Sequence, residues 1–161
     1  MAKLQLHDFS ALRALEGKDL PEGDWVAVTQ AMIDAFARAT GDDQWIHTDA
    51  EKARLHSPFG TTVAHGFLTL SLLSGLLGDL IAVESATMGV NYGLNKVRFP
   101  SPVPSGSRVR LRARVAGVEP YGEEGVRVTW NCILELEHSP KPACVAEFVS
   151  LMFAGGQRDS I

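Results

Sequence analysis

An aspartate and a histidine stand five positions apart in the segment GDDQWIHT, as Asp42 and His47. Gly41 is a typical helix end, and Thr48 with Glu51 matches a capping box that begins the next helix. Both residues are therefore predicted to lie in the intervening turn. A carboxylate beside an imidazole can hold a water between them and move protons near neutral pH. The spacing alone also fits an aspartate that caps a turn beside a solvated histidine.

A glycine in the run VAHG follows, where a long apolar segment begins. The first turn of a helix has free backbone N–H groups beside a positive helix end, and Gly66 would expose one of them. Such a donor can stabilise negative charge that develops on a carbonyl oxygen. A glycine needed only for packing is the alternative. Ser71 and Ser74 lie on the same predicted helix and need partners, either the carbonyl four residues back or a ligand.

Helices are predicted around these residues. Thr29 is a suitable N-cap for a helix over 30–39, after a short strand at 25–29. A second helix is predicted at 49–55, and a long one at 66–82. The long helix is apolar over most of its circumference, so we expect it to be buried nearly all round.

The second half of the chain alternates apolar and polar residues, which predicts strands. Their ranges are 87–93, 95–99, 107–118, 125–137 and 143–154. One buried helix followed by antiparallel strands indicates an α+β fold, with a curved sheet wrapped around the helix. Gly75 and Gly78 would let the sheet approach closely. Every second residue from Arg108 to Arg114 is an arginine, and this arginine ladder could bind nucleotide phosphates. We favour a solvated sheet face, on which the arginines pair with Glu135 and Glu137 across strands.

Composition limits the possible functions. The chain has 161 residues, which fits one domain over 1–161, and a net charge of −4. An acidic chain lacks the basic surface that binds nucleic acid and the polybasic segment that anchors a protein to a membrane. The longest apolar stretch is too short to span a bilayer, and the first residues do not match a secretory signal. Cys132 and Cys144 form no CxxC pair, so a reduced pair in a cytoplasmic protein is expected.

Three segments, taken together, resemble one known family. The segment FARATGDDQWIHTDAEKA, from Phe36 to Ala53, is similar to the signature of the MaoC-type, R-specific enoyl-CoA hydratases. The segment TTVAHGFLTLSLLS resembles the oxyanion glycine and central helix of that family. The later run NYGLNKVRFPSPVPSGSRVRL resembles the nodulation-protein-N-like dehydratase subgroup. The segments fall in the family's order, and the resemblance covers roughly residues 25–154.

The resemblance implies a hot dog fold, a curved antiparallel sheet around one central helix, usually dimeric with an acyl tunnel near the dimer interface. By the same resemblance Asp42 and His47 are the catalytic pair, the Gly66 N–H is the oxyanion donor, and Ser74 makes a hydrogen bond within the site. The third segment adds hypothetical pocket residues: Asn91, Tyr92 and Arg98.

The implied reaction is reversible addition of water to a trans-2-enoyl-CoA, giving an (R)-3-hydroxyacyl-CoA, with no metal and no redox cofactor. The sequence departs from the family at Gln44 and Trp45, where many members have Asn-Pro, which bears on substrate shape. An acyl-CoA thioesterase and a non-catalytic acyl-thioester-binding module remain as alternatives.

We also expect a homodimer, because the apolar run from Phe148 to Phe153 would be an aggregation hazard on a bare sheet edge.

Overall fold

The structure, a computed structural model, describes residues 2–155. Within these residues, five helices and seven strands follow one another. They are β1 (Leu4–Leu6), α1 (Phe9–Arg13), β2 (Val26–Ala27), α2 (Gln30–Thr40), α3 (Trp45–Thr48), α4 (Ala50–His56), α5 (Gly66–Leu80), β3 (Ile81–Val83), β4 (Ala86–Arg98), β5 (Arg108–Tyr121), β6 (Gly125–Leu136) and β7 (Cys144–Ala154).

The main sheet has five antiparallel strands in the order β2-β5-β6-β7-β4, and it curls around α5. The predicted α+β architecture is confirmed. A small parallel sheet, which the sequence did not predict, joins β1 to β3. Among residues 2–155, no helix is both long enough and apolar enough to cross a bilayer.

The predicted alternation along β5 is confirmed. Val109, Leu111 and Val115 point into the core, where each is 0% exposed. The arginines between them face outwards and pair across strands, as expected: Arg108 with Glu137, and Arg110 with Glu135 at 2.6 Å. The hydrogen bond from Arg108 lowers the pKa of the Glu137 carboxyl. The ladder is therefore occupied by carboxylates of the chain itself, and phosphate binding there is not favoured.

Helix α5 differs from the prediction, because it is buried on one side only. Its inner side packs into the core through Leu68, Leu73, Leu77 and Leu80. Its outer side is exposed and carries four small residues, Ser71, Ser74, Gly75 and Gly78, together with Phe67 and Asp79. The expectation that Gly75 and Gly78 admit a sheet was wrong, since a Cβ at either position would meet nothing within 4 Å. The sheet covers the opposite side of this helix.

Two local boundaries also differ. The second predicted helix is capped by Asp49, whose carboxylate accepts from the Lys52 N–H at 2.9 Å, and not by Thr48. Thr48 ends the short helix α3, and its hydroxyl donates back to the Asp43 and Gln44 carbonyls. The strands predicted at 87–93 and 95–99 are one strand, β4, with a register shift at Gly93.

The exposed edge of the sheet is not where the sequence placed it. Strand β7 lies between β6 and β4, and Phe148, Val149 and Leu151 are 7%, 5% and 6% exposed. The edge is β4, whose residues from Thr87 to Lys96 are all exposed. Its apolar side chains include Met88, Val90, Tyr92 and Leu94, which are 40–56% exposed. The aggregation hazard therefore lies on β4.

The two cysteines are free thiols and both are buried. Burial, together with the neighbouring Cys144, raises the pKa of the Cys132 thiol to about 12. Burial raises the pKa of the Cys144 thiol to about 11. The reactive form of a cysteine is the thiolate. Both side chains therefore act as small core residues, as predicted.

Shortening a core side chain of α5 should destabilise the protein strongly. Leu73 is 2% exposed, and Leu73→Ala is expected to lower the free energy of unfolding by about 2–5 kcal/mol, through lost burial and a cavity. Ser71→Ala is the matched control on the exposed side, where changes are usually within about 0.5 kcal/mol. Urea unfolding of both variants measures this. Equal midpoints for the two variants would contradict the assignment of the inner side.

Candidate active site

The turn that carries Asp42 is fixed by the helix before it. Helix α2 begins at the predicted N-cap, where the Thr29 hydroxyl accepts from the Met32 N–H at 3.3 Å. It ends at Gly41, which adopts the left-handed conformation with φ 76°. That conformation favours glycine, because it has no Cβ to clash. The chain therefore reverses direction just before Asp42 and brings it beside the short helix α3.

His47 lies on α3, in place of the predicted turn, and is 7% exposed. Its ring Nδ1 lies 2.7 Å from the Val63 carbonyl oxygen. A carbonyl only accepts, so Nδ1 carries a proton, and in the neutral ring Nε2 has the lone pair. The Val63 N–H donates in turn to the Ile46 carbonyl at 3.0 Å. The imidazole is thus held in one orientation and one tautomer, ready to accept a proton.

The structure brings Asp42 and His47 together, and adds a third residue, His65. A carboxylate oxygen of Asp42 and one ring nitrogen from each histidine all lie within 4.8 Å of one another. The carboxylate and the His47 ring are thus close enough to share one water, which hydrogen-bonds at about 2.7–3.2 Å from each partner. Asp42 is more exposed than the two buried histidines, which leaves one open side to the cluster.

The sequence analysis gave His65 no role. It is 2% exposed, and its ring stacks on the His47 ring with centroids 3.8 Å apart and planes 25° apart. Its Nε2 lies 2.8 Å from the Asp42 carbonyl oxygen. Its position beside the oxyanion glycine was the only signal in the sequence, and that gave no indication of a contact with Asp42.

This cluster does not have the geometry of a metal site. Histidine lone pairs lie in the ring plane, and a zinc ion binds at about 2.0–2.1 Å from each nitrogen. Two stacked rings that are 25° from parallel direct their lone pairs side by side, so both cannot point at one ion. A cofactor-free reaction remains an expectation from the family resemblance.

Gly66 is the first residue of α5, directly after His65. The first N–H groups of a helix have no partner within it, and the His65 side chain makes no capping bond to them. The position is crowded. A Cβ on Gly66 would lie 3.0–3.2 Å from three ring atoms of Phe99, closer than ordinary contact. The start of α5 therefore brings a backbone donor and a positive helix end beside the cluster, with the Phe99 ring close by.

The backbone of His47 is held by a glutamine that the sequence analysis also missed. The Gln30 amide nitrogen donates to the His47 carbonyl at 2.7 Å and to Asp34 at 2.8 Å. Its oxygen accepts from the hydroxyl of the buried Thr62 at 2.6 Å. Both ends of the Gln30 amide are thus satisfied, and α2, α3 and the loop before α5 are linked at the site.

The four pocket candidates fall into two groups. Ser74 donates to the Asn91 side-chain oxygen at 2.9 Å, and both, with Tyr92, line a cleft of about 280 Å³ between α5 and β4. Ser74 is eight positions beyond Gly66, about 12 Å along the helix, so the cleft is separate from the Asp42–His47 cluster within one chain. Arg98 is exposed at the end of β4, where its guanidinium donates to the Val97 carbonyl at 2.6 Å.

A curled antiparallel sheet around one helix, with an Asp–His cluster at the start of that helix, defines a hot dog protein of the dehydratase type. The MaoC-like domain family matches residues 13–134. The chain belongs to the MaoC-like dehydratase family, as the sequence resemblance predicted.

Relatives and solved structures agree with this assignment. The chain is 51% identical over 138 residues to 3-hydroxyacyl-thioester dehydratase Z of Mycobacterium tuberculosis, covering 86% of this chain and 91% of that protein. It is 43% identical over 137 residues to Nodulation protein N of Rhizobium leguminosarum bv. viciae, covering 84% and 85%. The solved structure of an Archaeoglobus protein described as a monoamine oxidase regulatory protein superposes with a TM-score of 0.75 at 25% identity, covering 97% of this chain and 100% of that one.

Proposed function

We propose that this protein catalyses the reversible addition of water to a trans-2-enoyl-CoA, giving an (R)-3-hydroxyacyl-CoA. The observation that carries the proposal is the separation of less than 4.8 Å between the Asp42 carboxylate and the His47 ring. The 3-hydroxyacyl-thioester dehydratase that is 51% identical to this chain supports the thioester class. A cytoplasmic location, where the two thiols stay reduced, goes with this function.

The water would be activated by two acceptors at once. The Asp42 carboxylate and the free His47 Nε2 each accept one of its O–H groups, which makes the oxygen a better nucleophile. The oxygen bonds to C3 of the enoyl group while one O–H bond breaks, and that proton passes to the pair. A proton from the pair then forms the new C–H bond at C2. Water is thereby added across the double bond, and the pair returns to its starting state.

Gly66 would act on the thioester carbonyl. When the water oxygen bonds to C3, negative charge develops on the thioester oxygen as an enolate. The Gly66 N–H, at the positive end of α5, would stabilise that charge. Ser74, Asn91 and Tyr92 would line part of the acyl-binding surface in the cleft between α5 and β4. The Arg98 guanidinium would meet the charged part of the CoA.

The test is an assay with crotonyl-CoA. Hydration removes the conjugated double bond, so the ultraviolet absorbance of the enoyl thioester should fall without release of free thiol. Chiral analysis of the product should give the R enantiomer. Release of free thiol instead would indicate an acyl-CoA thioesterase. Binding of crotonyl-CoA without turnover would indicate a non-catalytic acyl-binding module, and either result would overturn the proposal.

We further propose that two copies associate through the β4 edge. Its outer side pairs with no other strand among residues 2–155, and an edge strand of this length is a template for another chain. An antiparallel partner β4 would satisfy its backbone groups and cover its apolar side chains. The small residues on the exposed side of α5 would let the second copy approach closely.

Lysines on β4 should therefore separate the copies. Met88 and Val90 are 53% and 40% exposed. The double variant Met88→Lys, Val90→Lys is expected to be monomeric by light scattering at micromolar concentration, where the parent chain is dimeric, because like charges meet across the edge. The control is Ile133→Lys, an exposed residue on the central strand β6, which should stay dimeric. A parent chain that is already monomeric would contradict the interface.

A further inference from the structure

His65 is the one member of the cluster that the proposed reaction does not use. Its Nε2 lies 2.8 Å from the Asp42 carbonyl oxygen, which can only accept, so Nε2 must carry the proton. Its Nδ1 is buried and has no hydrogen-bond partner. The contacts therefore place a proton on Nε2 and leave Nδ1 without a partner.

The ring of His65 contacts both partners of the proposed pair. Through Nε2 it holds the backbone of Asp42, and through its face it packs on His47 at a centroid distance of 3.8 Å. Its contact with Phe36, at 4.9 Å, fixes the ring against α2. His65 is the N-cap of α5, but its side chain makes no capping bond to that helix, and Nε2 donates to the Asp42 turn instead.

We propose that His65 is a positioning residue, which sets the separation between the Asp42 carboxylate and the His47 ring. This proposal rests on the proposed function of that pair. The Asp42 turn follows a glycine and is partly exposed, whereas His47 is held independently by Val63 and Gln30. The His65 bond joins the Asp42 carbonyl to the ring that packs on His47, in addition to the bond from the Thr48 hydroxyl to the neighbouring Asp43 carbonyl. Without that link, Asp42 can move relative to a fixed His47.

Two variants separate the donor from the ring. His65→Phe keeps an aromatic ring on His47 and removes the donor. His65→Gln keeps an amide donor near the position of Nε2 and removes the ring. A misplacement of about 1 Å costs about 10²-fold in rate, so kcat of His65→Phe on crotonyl-CoA should fall about 10²-fold with KM nearly unchanged. His65→Gln should recover much of that loss. The control is Phe36→Leu, which disturbs the packing of His65 but leaves its donor.

Nuclear magnetic resonance of the histidine ring nitrogens tests the bond without reference to activity. The expected result at pH 8 is the Nε2–H tautomer for His65 and the Nδ1–H tautomer for His47. An Nδ1–H tautomer at His65 would overturn the proposal. So would a His65→Phe variant with wild-type kcat, or equal losses of kcat in His65→Phe and Phe36→Leu, which would indicate packing alone.

A failure of the proposed function looks different from a failure of this inference. If the parent chain does not hydrate crotonyl-CoA, the function is wrong and His65 positions no catalytic pair, even where the tautomers agree. If the parent chain is active and the His65 variants are active too, only the positioning role is overturned.

Discussion

Replacing Asp42 by Asn, or His47 by Asn, is expected to reduce the turnover of crotonyl-CoA by about 10²–10⁴-fold, the usual contribution of a general acid–base group. Asp42→Asn removes the carboxylate but keeps the size of the side chain. His47→Asn places an amide nitrogen near the position of Nδ1, where it can still donate to the Val63 carbonyl. It removes the Nε2 lone pair and the ring that packs on His65, but the bond to Val63 is kept, so both variants should fold normally.

The double variant distinguishes a shared water from two independent effects. If both residues act on one water, losing either breaks the same step, and the double variant should be hardly slower than either single one. Neighbours provide the controls. Asp43→Asn and His56→Gln change exposed residues of the same types nearby and should leave turnover unchanged. Circular dichroism checks the fold of each variant. A single variant that keeps more than about a tenth of the parent turnover would contradict the assignment.

Adding a methyl group at Gly66 is expected to lower turnover by about 10²–10³-fold, the typical cost of a lost oxyanion contact. The structure shows which neighbour the methyl group would meet. The first atoms that a Cβ would meet belong to the Phe99 ring, at 3.0–3.2 Å. In Gly66→Ala the ring or the helix start must shift by a few tenths of an ångström, and the methyl group then occupies the space in front of the Gly66 N–H.

A second substitution separates crowding by Phe99 from loss of the oxyanion contact. Gly66→Ala with Phe99→Leu relieves the contact with the ring and should restore stability, but not turnover, if the N–H is the important group. Gly117→Ala is the matched control, since a Cβ there would meet nothing within 4 Å. Turnover and thermal unfolding are measured for all three. Recovery of turnover in the double variant would show that Gly66 is needed for packing against Phe99 and not as a donor.

The sequence predicted those parts of the fold that local patterns determine. The Thr29 cap, the Gly41 helix end and the alternation along β5 and β6 depend on neighbours in the chain, and the structure has all of them. Burial of α5 was overestimated because hydrophobic periodicity does not reveal which side a sheet covers. The edge strand was misplaced for a related reason: the order of strands in a sheet is set by tertiary contacts between distant segments.

The candidate site shows the same division. Asp42, His47 and Gly66 became candidates because their spacing and the helix boundaries around them are local, and the family resemblance supplied their proposed roles. Gln30 and His65 were missed, because their roles depend on the carbonyl groups of residues 17 and 23 positions away. A glutamine in the first turn of a helix and a histidine before a glycine have no signal of their own. Only the folded chain brings their donors to the backbone of the pair.

The place of β7 between β6 and β4 has a consequence for the order of folding. Strands β5, β6 and β7 follow one another along the chain, so each can pair with the next through a short connection. Strand β4 precedes β5 in the chain but pairs with β7, so this pairing joins segments that are far apart in the sequence. Local pairing is faster, because less loop entropy is lost. Until β4 docks, the apolar strand β7 is itself an unpaired edge. The run from Phe148 to Phe153, covered in the native sheet, is then exposed, and nascent chains are most prone to associate during that interval.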